Sequence, residues 1–164
     1  MIIVAGLMSS LSPQAAGLFR TAHASPQAVP SDTLVTLERT TCFGTCPEYK
    51  ITISAAGEVV FEGRRFVQKM GTAKSSISPE ALRELLARFE KIDYFSLRDR
   101  YAGPGDGCKQ RATDFPTVIT SIKTDGRSKS VRHYHGCWGV EVLVELKKVE
   151  QAIDDAVNSA QWIR

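Results

Sequence analysis

Beyond residue 24 the chain has no run of apolar residues approaching the roughly 20 that a membrane-spanning helix needs, so that part of the sequence carries no helical membrane anchor. It also lacks an excess of charge of one sign. Lys and Arg number 21 against 18 Asp and Glu, a formal net charge of +3. The two locally basic stretches, "GRR" at 63–65 and "RSKSVRH" at 127–133, each have acidic neighbours along the chain. Nucleic-acid binders concentrate positive charge on one face or stripe, so no nucleic-acid partner is expected. "AGPGDG" at 102–107 lacks the Lys-Ser/Thr ending and the helix of a P-loop, and reads as a flexible loop. No nucleophilic triad can be assembled from the spacing of the chain. No catalytic residue, cofactor or metal ligand is assigned, and the reading leans away from an enzyme.

A different absence marks the N-terminus. Residues 1–19 contain no charged side chain, and "AHA" at 22–24 is a small-x-small sequence of the kind a signal peptidase accepts. A signal peptide is expected over 1–24, although a charged n-region is missing and Ser12, Pro13 and Gln14 interrupt the apolar stretch. Cleavage before Ser25 would deliver a periplasmic or secreted product. "SPQAVPSD" at 25–32 holds two prolines and no periodic pattern, and reads as a linker. The remainder, 33–164, is long enough for one core and short for two.

What is present is a clear alternation of two periods. "TLVTLER", "EYKITIS" and "EVVFEG" read as strands, and "RRFVQK" at 64–69 as a further short one. Ser78 and Pro79 open a helix whose stripe is Leu82, Leu85, Leu86, Phe89 and Ile92. "PTVITSIK" and "SKSVRHYH" form a hairpin across an Asp-Gly turn, and one long helix from about Val140 carries Val142, Leu146, Val149, Ile153, Ala156 and Ala160 on one side. The expectation is an α+β fold, a mostly antiparallel sheet of about five or six strands with two amphipathic helices, in the order β-β-β-(β)-α-β-β-α.

Cysteine is scarce, with four in the chain. Cys42 and Cys46 are separated by three residues, whereas thioredoxin-type redox pairs have two, and Pro47 stands where haem attachment needs a histidine. A bridge needs Cα atoms within about 4.4–6.8 Å, and Gly44 can take the positive φ that so tight a reversal often requires. A structural Cys42–Cys46 disulfide closing the first hairpin loop is expected.

"CFGTCPEY", with "ITISAAGEVVFEG", "ISPEAL", "YFSL", "TDFPT" and the terminal "QWI", resembles a bacterial family known as domain of unknown function six-four-three-eight. The resemblance runs from about residue 34 to the end. Its Cys-[Phe/Tyr]-Gly-x-Cys-Pro-x-Tyr motif lands on Cys42, Phe43, Gly44, Cys46, Pro47 and Tyr49, and a second signature on Thr113, Asp114, Pro116 and Thr117. It implies no reaction, substrate or cofactor. Members have the first cysteine pair without counterparts of Cys108 and Cys137, which supports Cys108–Cys137 as a second bridge, although four cysteines allow three connectivities.

"HYHGCW" is the remaining chemical stretch. His133, His135 and Cys137 alternate onto one face, and with Cys108 could form a two-His, two-Cys zinc site. Exposed strand-end histidines beside a disulfide are the simpler reading. The leading expectation is an exported, monomeric, non-catalytic module that binds an envelope protein or component. Its candidate contact surface comprises the loop 102–116 and Asp114, Tyr134, His135 and Trp138. The alternative is a thiol-redox or metal-binding protein using Cys42/Cys46 or His133/His135/Cys137/Cys108.

Overall fold

The alternation in "EYKITIS" buries Tyr49, Ile51 and Ile53 and leaves Lys50, Thr52 and Ser54 half-buried, as a strand with one covered face must. The computed structural model describes residues 28–164, and the expected signal peptide over 1–24 lies outside the described residues. The elements are β1 (Leu34–Arg39), β2 (Glu48–Ser54), β3 (Glu58–Arg65), β4 (Gly71–Ser76), α1 (Pro79–Lys91), β5 (Arg100–Tyr101), β6 (Gln110–Arg111), β7 (Thr117–Thr124), β8 (Arg127–Tyr134), β9 (Cys137–Trp138), α2 (Val142–Ala156) and α3 (Ala160–Ile163). Seven strands form one sheet in the order β4-β3-β2-β1-β7-β8-β5, and β6 pairs with β9 beside it. Every pair is antiparallel except β5 with β8. The fold is α+β, as the periodicity implies.

Register decides what α1 and α2 cover. Leu37 stands opposite Ile51 and Thr120, Ile51 opposite Phe61, and Thr120 opposite Val131, so these side chains share one face. That face packs against Leu82, Leu85 and Phe89 of α1 and Leu146, Val149 and Ile153 of α2 to form the core. At about 25 cal/mol per Å² of apolar surface, each such side chain contributes roughly 1.5–3 kcal/mol by leaving water. One register step further along, Tyr49, Arg39, Val118, His133 and Tyr101 fall into a second cross-strand row. Four of its five members, Tyr49, Arg39, His133 and Tyr101, carry polar groups and stand on both sides of β7, and this row underlies the candidate site.

The capping expectation for α1 is met. Ser78 Oγ accepts the Ala81 backbone N–H at 3.1 Å, and Pro79 takes the first helical turn. Three details differ from the sequence reading. The fourth strand is Gly71–Ser76 rather than 64–69, because Arg64 and Arg65 finish β3 and Phe66 takes a left-handed φ of 52° that turns the chain. The return passes so close over Gly63 that a Cβ there would lie 1.9 Å from the Lys69 carbonyl oxygen. The terminal helix is not continuous either. Asn158, with φ 50°, ends α2, and the Ser159 N–H reaches back to the Asp154 carbonyl at 3.0 Å, the hydrogen bond of a Schellman stop. The chain then redirects into α3, where Trp162 stacks on Phe61 with ring centroids 4.8 Å apart. Third, the two-residue strands β5, β6 and β9 raise the strand number above the expected five or six.

Candidate functional site

The two disulfides stand at one end of the sheet. Cys42–Cys46 closes the loop between β1 and β2, with Cα atoms 5.7 Å apart and Gly44 at φ +147°. Cys108–Cys137 ties the long loop after β5 to β9 across 29 residues, with Cα atoms 5.3 Å apart. Both pairs are those expected. No free cysteine remains among the described residues, so the sulfurs of Cys108 and Cys137 are bonded to each other rather than offered to zinc. Cys42 and Cys46 are partly exposed, whereas Cys108 and Cys137 are buried.

Backbone hydrogen bonds join these loops. The Phe43 N–H donates to the Asp114 carbonyl at 3.3 Å, the Thr40 N–H to the Thr117 carbonyl at 3.0 Å, and the His135 N–H to the Pro116 carbonyl at 3.0 Å. The Ala112 N–H donates to the Gly136 carbonyl, and a Cβ at Gly136 would come within 2.4 Å of the Ala112 carbonyl oxygen, so only glycine permits this approach. The "CFGTC", "TDFPT" and "HYHGCW" segments, distant in sequence, therefore form one surface. Phe43 stands on it 87% exposed, and Phe115 and Trp138 meet edge-to-face at 5.6 Å while both remain exposed.

Beneath that surface, α2 presents two acids one turn apart to the polar row of the sheet. Asp154 Oδ2 accepts Arg39 Nε at 2.9 Å and Nη2 at 2.6 Å, and Oδ1 accepts the hydroxyls of Tyr49 at 2.7 Å and Ser159 at 2.8 Å. Burial, the largest single influence, favours the neutral form of Arg39, but the charge and hydrogen bond of Asp154, with Tyr49 and Glu150 nearby, together outweigh it and hold the guanidinium above its ordinary pKa. The Tyr49 hydroxyl is pushed up by burial and then by the same carboxylate, so its proton stays in place as a donor. Glu150 has different partners. Its Oε1 lies 2.7 Å from His133 Nδ1 and its Oε2 2.7 Å from His135 Nε2. Burial would raise the Glu150 carboxyl, but the hydrogen bonds and charges of the two imidazoles prevail and hold it below the usual carboxylate range. The carboxylate and the His133 ring are almost fully buried, and His133 Nε2 has no hydrogen-bond partner among the described residues.

The structure distributes the sequence-stretch candidates unevenly. Trp138 lies at the surface beside Phe115. Asp114 is exposed and left-handed (φ 73°), but its carboxylate takes the Thr113 hydroxyl at 2.9 Å and it is its backbone carbonyl that holds the Cys42–Cys46 loop. Tyr134 is a strut. Its hydroxyl donates to the Ala112 carbonyl at 2.8 Å and Arg111 lies over its ring. His135 turns inward to Glu150 with a fifth of its side chain exposed, and His133 is wholly buried, which corrects the picture of two exposed strand-end histidines. Sequence reasoning missed Glu150, Asp154 and Arg39. A signal existed, since Leu146, Glu150 and Asp154 are spaced by four and put both acids in phase with the apolar stripe of α2. His133, His135 and Glu150 are the described residues that could hold a metal, their ligand atoms all lying within 4.8 Å of one another.

No curated protein matches the chain. A family model described as "Domain of unknown function (DUF6438)" matches residues 33–157, from just before β1 to the end of α2. That span includes both disulfides, the exposed aromatic surface and the two buried acids beneath it, and the chain belongs to the DUF6438 family.

Proposed function

We propose that this protein is an exported, non-catalytic binding module that contacts an envelope protein or component through the disulfide-bearing end of its sheet. One observation carries the reading. Of the seven large apolar side chains exposed among the described residues, five, namely Phe43, Phe66, Met70, Phe115 and Trp138, stand at that end. They occupy the β1–β2 loop, the β3–β4 turn, the segment preceding β7, and β9 itself. Strands lie about 4.8 Å apart, so this row crosses about 25 Å from β4 to β8, the breadth of an ordinary protein interface. Apolar groups gathered in this way mark interaction surfaces, whereas scattered ones carry no such meaning. Aromatic anchors on a support already ordered by covalent bridges also bind with less loss of conformational entropy.

The two disulfides support the exported part of this reading, because such bridges persist in an oxidising compartment. No helix among the described residues is long and apolar enough to cross a membrane. The test is affinity capture from envelope extract with wild type, Phe43→Ser/Trp138→Ser and, as a control at the opposite end, Leu34→Ser. A partner held by wild type and the control and lost by the folded double variant is the expected outcome. Equal retention by all three sinks the proposal.

A further inference from the structure

We propose that His133 Nδ1, His135 Nε2 and Glu150 form a binding site for a single divalent transition-metal cation, with zinc as the reference ion. Two imidazoles and one carboxylate are the three-protein-ligand set of catalytic zinc sites, in which a fourth position stays open to water or ligand. The strand supplies its part through period two, which places residues 133 and 135 on one side of the chain. The helix supplies Glu150 against them, with N···O separations of 2.7 Å on both sides.

The present arrangement is a hydrogen-bonded one. Each imidazole turns an N–H towards its own carboxylate oxygen, and the ligand atoms spread over as much as 4.8 Å. Zinc–ligand bonds of about 2.0–2.1 Å put ligand atoms about 3.3 Å apart in a tetrahedron. Binding therefore opens the N···O contacts and draws the outermost atoms together, movements of side-chain rotation. The protons on His133 Nδ1 and His135 Nε2 shift to the other ring nitrogens or, from a doubly protonated ring, leave to solvent.

Burial separates this trio from an ordinary surface contact. The Glu150 carboxylate and the His133 ring are almost fully buried, so one carboxylate and two imidazoles converge with little access to water, a donor set that a divalent cation completes. With Nδ1 on the metal, His133 keeps its proton at Nε2, which has no hydrogen-bond partner among the described residues. His135, a fifth of whose side chain is exposed, provides the side from which a cation arrives and on which the fourth position opens. Neither the cysteines nor the aromatic surface takes part, so the site stands or falls apart from the proposed binding role.

The experiment titrates the full chain, stripped with a chelator and dialysed, with Zn²⁺ by isothermal calorimetry at about pH 7.5, where imidazole is mostly neutral. One equivalent is expected to bind. His135→Ala and Glu150→Gln should each weaken binding at least about tenfold, while Asp155→Asn, at an exposed acid of the same helix, leaves it unchanged. His135 is the decisive position, because its partial exposure lets the alanine variant keep its fold, as circular dichroism will verify. Affinity should fall at least about tenfold at pH about 5.5, since the cation then competes with protons. The absence of saturable binding, undiminished binding by folded His135→Ala, or an affinity independent of pH would overturn the assignment.

Discussion

The two ends of the sheet are built on different terms. At one end the chain reverses tightly. Ala55 to Gly57 joins β2 to β3, and Asp125 and Gly126, both left-handed at φ 51° and 70°, join β7 to β8 as a primed turn whose twist matches the strands. The Asp32 carboxylate accepts both N–H groups of that second turn at 2.9 Å. At the other end the loops are longer, two disulfides hold them, five large apolar side chains face outward, and two acids lie buried under α2. Local chemistry suffices for the first end. The second is held by covalent bonds and buried charge, and shows apolar surface that a fold has no use for on its own account.

That contrast is sharpest in stability. Asp154→Ala removes the countercharge of Arg39 and the acceptor of Tyr49 and Ser159 together, and a buried pair broken from one side costs about 3–5 kcal/mol. Urea denaturation should register the largest single loss there. A loss under about 1 kcal/mol would mean that the network is better solvated than its hydrogen bonds imply.

The bridges come next. In the chain-entropy model, a loop of about 30 residues closed by Cys108–Cys137 contributes roughly 3.6 kcal/mol, and one of about 5 residues closed by Cys42–Cys46 roughly 2 kcal/mol. Cys108→Ser is expected to cost more than Cys42→Ser in the same assay. The reverse order would assign the main restraint to the small exposed loop.

The opposite end yields the smallest effect, and it depends on pH. The backbone N–H of Gly126, against a smaller opposing effect of burial and with help from the Asp125 N–H, holds the Asp32 carboxyl below its ordinary pKa. A depressed folded pKa gives stability that is present above the unfolded value, about 3.9, and is lost as pH falls through the folded one. Asp32→Asn should therefore lower the melting temperature slightly at neutral pH, with the difference closing in acid. A difference that widens below pH about 4 would contradict the hydrogen-bonding account.

What the sequence made legible follows the same division. Ser78 and Pro79 located α1, and the Asp-Gly pair located the β7–β8 hairpin, because caps and primed turns depend on residues next to each other. The first disulfide was legible on the same ground. The break at Asn158 was missed because Val157 to Ala160 keep the helical spacing, and only the packing of Trp162 on Phe61 rewards a change of direction. Glu150 and Asp154 were passed over because charged residues on a helix are usually solvated. Their burial depends on which row of the sheet lies opposite, a fact of register between strands 80 or so residues apart in the chain. The joining of "CFGTC" to "TDFPT" rests on one backbone hydrogen bond, Phe43 to Asp114, and leaves no periodic trace. Phe43 was read as part of a motif, whereas its near-complete exposure belongs to the loop's place in the fold.

The central claim, that the disulfide-bearing end is where this protein meets its partner, is open to one direct measurement. A photo-crosslinking amino acid is placed at position 43, at position 138 and, at the opposite end, at the exposed Ala56, and each protein is produced in a host that exports it and irradiated in place. Discrete adducts from positions 43 and 138, with none from 56, are the predicted result. Adducts from 56 alone, or the same adducts from all three, would contradict it.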